Sequence, residues 1–232
     1  MNTEYNMKQI AAERAAGYVQ SGMKVGLGTG STAYYAILKI GEMVRAGLDI
    51  QAVATSRASE ELAVQQGIPL TPVRDIDRLD LTIDGADELD GMLRLIKGGG
   101  GALLREKMTA YRSDKLIIIA DETKEVPVLG AFPLPVEIIP FAYEWTVQSL
   151  KELGCSVQIR RDREGAVYET DNGNYIADCS FGRISEPEEL AARLTGIPGV
   201  VEHGLFLGMA DQAIIGCRDG SVRIIGADSA SE

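Results

Sequence analysis

Residues 24–45, KVGLGTGSTAYYAILKIGEMVR, read as a strand, a glycine loop and a helix. Lys24 to Leu27 is a short strand-forming run that the glycines interrupt, and Ser31 is a good N-cap for a helix from about Thr32 to Arg45. The same alternation continues outward. Upstream, Met7, Ile10, Ala11, Ala15, Tyr18 and Val19 recur at three- and four-residue intervals, which predicts an amphipathic helix ended by Gly22. Downstream, Ile50 to Ala54 predicts a second strand, Ser56 caps a helix to Gln66 that Gly67 stops, and Leu79 to Ile83 predicts a third strand. Strands alternating with helices imply an α/β fold, a Rossmann-like parallel sheet flanked by helices on both faces. Such sheets bind ligands at the carboxyl ends of their strands, which is where GTGST, DGAD and KGGGG all fall.

The most loaded segment is 84–106, DGADELDGMLRLIKGGGGALLRE. Asp84 and Asp87 follow the third strand, Lys97 closes another short strand, and Glu106 lies on the helix expected after the glycines. Farther on, Lys115 to Ala120 predicts a buried strand. The passage VPVLGAFPLPVEIIP then excludes a long helix through its prolines and marks a domain boundary. A catalytic domain of residues 1–129 and 207–232 is therefore expected, with a second, smaller α+β domain over 130–206. In that smaller part the patterns predict helices around 144–153 and 187–194, and strands near 157–161, 166–169, 175–179 and 200–205. Residues 213–216 and 221–225 read as a closing hairpin, and the tail ADSASE as a frayed end.

With 45% apolar and 25% charged residues, the composition is that of an ordinary globular protein. A net charge of −11 repels nucleic acid, and the one cluster of cations, Arg160, Arg161 and Arg163, reads as a solvated strand end. No membrane partner is expected, because the longest uncharged apolar run, Leu116 to Ala120, is far short of the roughly 20 residues a spanning helix needs. Three separated cysteines form no disulfide framework or zinc pattern, and the first residues lack the apolar core of a signal peptide; a cytoplasmic location fits.

Each motif has a plainer alternative. GLGTGST lacks the third glycine of a dinucleotide loop, since Ser31 takes its place. The N–H groups and hydroxyls of Thr29, Gly30, Ser31 and Thr32 would instead hold a phosphate at a helix N-terminus, unless the loop is only a tight turn. The acids of DGADELD follow no calcium-loop spacing, so no metal is expected, and Glu88 and Asp90 read as solvated. Asp84 could be a structural acid paired with Lys97 or a turn. KGGGG lacks the lysine of a nucleotide-hydrolysing loop after its glycines, and four glycines in a row favour close approach of a ligand. Glu106 could be an ordinary helix-surface acid. The single histidine, His203, has no motif around it and reads as a strand residue.

Taken together, GTGST, DGADE, IKGGGGALLREK, ADETK and FPLPVE, in this order, resemble the A-type ribose-5-phosphate isomerase family over essentially the whole chain. The resemblance implies a cofactor-free isomerase that interconverts ribose 5-phosphate and ribulose 5-phosphate as a cytoplasmic homodimer or homotetramer. It implies Glu106 as the proton-transferring base, with Asp84, Asp87 and Lys97 as polar active-site residues. Its substrate loops fall on Thr29, Gly30, Ser31 and Thr32, on Asp84, Gly85, Ala86 and Asp87, and on Lys97, Gly98, Gly99 and Gly100, with Lys124 as a further contact. The residue inventory suits the chemistry, because one carboxylate can carry a proton between C2 and C1 of a cis-enediolate while Lys97 and loop N–H groups meet the charge on oxygen. A sugar-phosphate-sensing domain without catalysis is the alternative from another class; it would need no Glu106. A deaminase or transferase on a similar sheet would need other acid and base residues.

Overall fold

A computed structural model describes residues 6–226. Residues 1–5 lie outside it, as does the tail ADSASE for which fraying was expected. The chain forms two compact units, one made of the residues up to Ala86, Arg105–Glu125 and those from Gly208 on, the other of Asp87–Leu104 and Val126–Leu207.

The larger unit contains the strands β1 (Lys24–Leu27), β2 (Gln51–Ala54) and β3 (Leu81–Gly85), while the smaller contains β4 (Glu88–Leu89) and β5 (Leu95–Ile96). Next in the chain come β6 (Leu116–Asp121), β7 (Leu134–Ile138), β8 (Ser156–Ile159), β9 (Tyr175–Ser180), β10 (Val200–His203) and β11 (Leu205–Phe206). The hairpin of β12 (Gln212–Gly216) and β13 (Val222–Gly226) closes the described chain. The helices are α1 (Met7–Ala16), α2 (Ser31–Arg45), α3 (Arg57–Gln65), α4 (Leu103–Tyr111), α5 (Tyr143–Lys151) and α6 (Pro187–Thr195).

Six strands of the larger unit lie in the order β13-β12-β6-β3-β1-β2, all parallel to their neighbours except β13. The expected α/β class is borne out. From β1 the chain steps outward to β2 and then crosses back to place β3 on the other side of β1. That reversal is a topological switch point, where the loops after β1 and β3 diverge and leave a crevice. Val25, Leu27, Ile83, Ile117 and Ile119 of the sheet pack with Ala11, Ala15, Ile37 and Ile40 of the helices. β6 is buried at every position, which is why it reads as an unbroken apolar run, and each buried isoleucine contributes about 1.5–3 kcal/mol relative to exposure.

The smaller unit has an antiparallel sheet in the order β10-β7-β9-β8 and a short one in the order β11-β5-β4. Val136, Ile138 and Ala177 of the first sheet pack with Leu150 of α5 and Leu190 and Leu194 of α6. This unit has the expected α+β class but other bounds: it takes Asp87–Leu104 as well as Val126–Leu207, where residues 130–206 alone were expected, because β4 and β5 pair with β11 rather than with the larger sheet. No helix among the described residues is long and apolar enough to cross a membrane.

Three local expectations need correction. The first helix stops at Ala16, not at Gly22, although Val19 is still buried. Turn bonds from Tyr18 N to Ala15 O and Val19 N to Ala16 O hold the chain on the same core, so the apolar spacing outlasts the helix. Ser31 is the first residue of α2 rather than its cap, a place taken by Gly30 with no side-chain bond. The strand expected at 166–169 is reduced to isolated bridges, Arg161 with Val167 and Glu169 with Tyr175.

Candidate active site

In the larger unit, the switch point is built around Asp84. The Gly28 N–H donates to Ile83 O at 2.9 Å, extending the β1–β3 pairing to the end of both strands. Asp84, 1% exposed, then accepts hydrogen bonds at Oδ1 from Thr29 N (3.1 Å) and Gly85 N (2.7 Å). Both donors fix the direction of the carboxylate. Only glycine fits at 28, because a Cβ there would stand 2.2 Å from Asp84 Oδ1 and 2.6 Å from Asp84 Cα.

The loop after β1 rests on buried hydroxyls. Thr29 Oγ1 lies 2.7 Å from Thr55 Oγ1 and 2.8 Å from Ser56 Oγ, while Ser59 Oγ donates to Gly28 O at 2.7 Å. The Thr29 side chain therefore secures the loop from below. Gly30, with φ of +111°, turns the chain into α2, whose N-terminus carries Ser31 on the surface and Thr32 buried. Lys8 of α1 donates from Nζ to Ser31 Oγ at 2.8 Å. A cation, a hydroxyl and a helix N-terminus thus meet, which is an anion-binding arrangement. Sequence reasoning missed Lys8; its only signal was a polar position on a helix otherwise packed against α2.

Glu106 lies in the first turn of α4 and is only 4% exposed, so it is not the surface acid that its helical setting allowed. Lys124, half-buried, ends the short 3₁₀ turn after β6. Asp121 caps that turn by accepting from Thr123 N at 3.1 Å, and ion pairs of Glu122 with Arg218 and Glu125 with Arg223 flank the lysine.

In the smaller unit, Asp87 and the glycine loop are tied directly. The Asp87 N–H donates to Ile96 O at 2.8 Å, and its Oδ2 accepts from Gly99 N at 2.7 Å. Lys97 is 3% exposed; its backbone N–H bonds Gly204 O at 2.9 Å and its Nζ lies 5.4 Å from the centre of the Phe206 ring. Gly98, Gly99 and Gly100 run on from it, and Gly98 and Gly101 adopt φ of +108° and +78°. Glu88 and Asp90, expected to be solvated, are buried and structural. Glu88 accepts from Gly130 N (2.7 Å) and Phe132 N (2.5 Å), while Asp90 accepts from Met92 N (2.9 Å), Arg94 N (3.0 Å) and Arg94 Nε (2.7 Å). The acids of DGADELD therefore have separate tasks. Among the described residues no group of three or more His, Cys, Asp or Glu side chains could hold a metal ion. His203 is a buried strand residue, as expected, and accepts from Leu205 N at 3.3 Å.

Polar groups at the carboxyl ends of a doubly wound sheet, with a helix N-terminus among them, are the arrangement in which α/β proteins bind small molecules. The family model of ribose 5-phosphate isomerase A (phosphoriboisomerase A) matches residues 51–220. Ribose-5-phosphate isomerase A of Parvibaculum lavamentivorans is 52% identical over 95% of this chain and 98% of its own length, and that of Bacillus mycoides 54% identical over 93% and 97%. Among solved structures, ribose 5-phosphate isomerase from Plasmodium falciparum superposes with a TM-score of 0.91 at 42% identity, covering 95% of this chain and 98% of that one. A D-ribose-5-phosphate isomerase in complex with phospho-erythronic acid gives 0.92 at 38% identity, covering 96% and 100%. The chain belongs to the ribose 5-phosphate isomerase A family. The sensor alternative finds no support among these relatives, which are named as isomerases.

Proposed function

We propose that this chain interconverts D-ribose 5-phosphate and D-ribulose 5-phosphate through a cis-enediolate, without a cofactor. The observation that carries the reading is Glu106, a buried carboxylate at the start of the helix that follows the glycine loop, in a chain of this family. From one face of the open-chain sugar a carboxylate can take the C2 proton and return it to C1. Asp84, aimed by Thr29 N and Gly85 N, moves protons between sugar oxygens and assists ring opening. Lys97 and N–H groups of Gly98 to Gly100 meet the negative charge that develops on oxygen, with Asp87 holding that loop. Gly85 and Ala86 offer backbone contacts. Lys8, Ser31, Thr32 and Lys124 take the phosphate, with Thr29 and Gly30 shaping its loop, so that binding energy from the remote end positions the reacting carbons. The ligand of one solved relative, phospho-erythronic acid, pairs a phosphate with an oxygen-rich chain in the same way.

The protein acts in the cytoplasm as a homodimer or homotetramer. Phe141, just before α5, and Trp145, in its first turn, are 80% and 76% exposed and offer apolar area for a second copy to cover.

The test is to incubate the protein, treated with EDTA, with ribose 5-phosphate in D₂O and to follow ketose formation and deuterium uptake by NMR. Wild type turns over at an unchanged rate, whereas Glu106→Gln loses about 10²–10⁴-fold in kcat with KM little altered. Unimpaired turnover by the variant removes Glu106 from the mechanism. A wild type that binds the sugar phosphate and leaves it unchanged removes the isomerase itself.

A further inference from the structure

The glycine loop is gripped by an arginine that belongs to no motif. Arg160, just beyond β8, donates from Nη1 to Gly98 O at 2.8 Å and to Gly99 O at 3.1 Å. Its other edge is held by Asp178 of β9, with Nε to Oδ2 at 3.0 Å and Nη2 to Oδ1 at 2.5 Å. The side chain is only 15% exposed, so this is not the solvated strand end expected from the run of arginines. Strand register explains the placement. Gln158 and Pro135 both lie opposite Asp178, and Arg160, two positions past Gln158, continues the face of the sheet turned away from the core of Val136, Ala177 and Cys179. Tyr168 completes the grip: its ring centre lies 6.0 Å from the guanidinium, and a Cβ on Gly101 would stand 2.3 Å from its hydroxyl. Burial holds the Tyr168 phenol above its ordinary pKa, so the group beside Gly101 stays neutral.

What the grip accomplishes follows from peptide geometry. Among the described residues no peptide bond is cis, and in a planar trans peptide the C=O and the next N–H point in opposite directions. Gly98 O turned to Arg160 therefore sends Gly99 N–H the other way, where Asp87 Oδ2 accepts it at 2.7 Å. Gly99 O turned to Arg160 likewise sends Gly100 N–H away from the arginine. We propose that Arg160 is a positioning residue that locks these two peptide planes, so that Asp87 is held and Gly100 N–H is presented as a fixed donor to a sugar oxygen. The proposal rests on the isomerase reading, in which this loop meets the substrate. A donor set in advance stabilises developing charge without reorganising during the reaction. Arginine suits the task because its planar fork serves a carboxylate and two carbonyls at once, which a lysine ammonium cannot do.

The experiment compares wild type with Arg160→Ala and Arg160→Lys. It reads kcat and KM for ribose 5-phosphate, inhibition by inorganic phosphate, thermal midpoint, and amide exchange at residues 98–101. Arg160→Ala is expected to lose about 10²-fold in kcat, the scale of one preorganised donor, with KM and phosphate inhibition within about threefold. Amide exchange in the loop accelerates at least about tenfold while the rest of the small unit keeps its protection. Millimolar guanidinium restores part of the kcat of Arg160→Ala and none in Arg160→Lys, whose side chain still fills the site. Wild-type kcat in a folded Arg160→Ala, or unaltered exchange at 98–101, overturns the proposal. If that variant does not fold, wild-type kcat in Arg160→Lys overturns it equally. Failure of the isomerase reading shows separately, as absence of turnover in the wild type.

Discussion

Gly28 leaves free the space that Asp84 fills. The Cβ of alanine at 28 would overlap Asp84 from Oδ1 to Cα, a backbone-level clash that side-chain rotation cannot relieve. Gly28→Ala should therefore destabilise the fold by about 1–3 kcal/mol, read as a lower urea midpoint at constant m-value, and should lower kcat as the carboxylate is displaced. The sequence displayed Gly28 and Asp84 as motif residues but not their contact, because they are far apart along the chain and meet only through the β1–β3 register. For the same reason Glu88 and Asp90 could not be told from solvated acids. Their burial depends on where the backbone N–H groups of Gly130 and Arg94 come to lie.

At the scale of elements, the phosphate end of the proposed site is a meeting of two helices. α1 brings Lys8 to the N-terminus of α2, where Ser31 stands on the first turn. Lys8→Met and Ser31→Ala should each raise KM about tenfold or more, the worth of one hydrogen bond to a charged group, with a smaller fall in kcat; steady-state kinetics with ribose 5-phosphate checks this. Periodicity exposed β1, α2, β2, α3 and β6, since one-sided or complete burial leaves a pattern. Arg160 left none, because its partners Gly98 and Asp178 lie on other elements and one surface arginine looks like another.

At the scale of the molecule, Phe141 and Trp145 are the proposed contact with a second copy. Trp145→Glu should lower the mass of the assembly, to near the 24.9 kDa chain mass from a homodimer and to about half from a homotetramer, as sedimentation equilibrium would show, with the circular dichroism of the fold retained. The strand order has a further consequence, for the timing of synthesis. β6 has β3 on one side and β12 on the other, and α1 packs against β6 and β12 together. The smaller unit is complete once residue 207 has been made, but the larger sheet waits for the strands that follow it. α1 thus finds its full seat only when β12 and β13 have been made. A chain halted before then presents the apolar edge of β6 to any neighbouring chain able to pair with it.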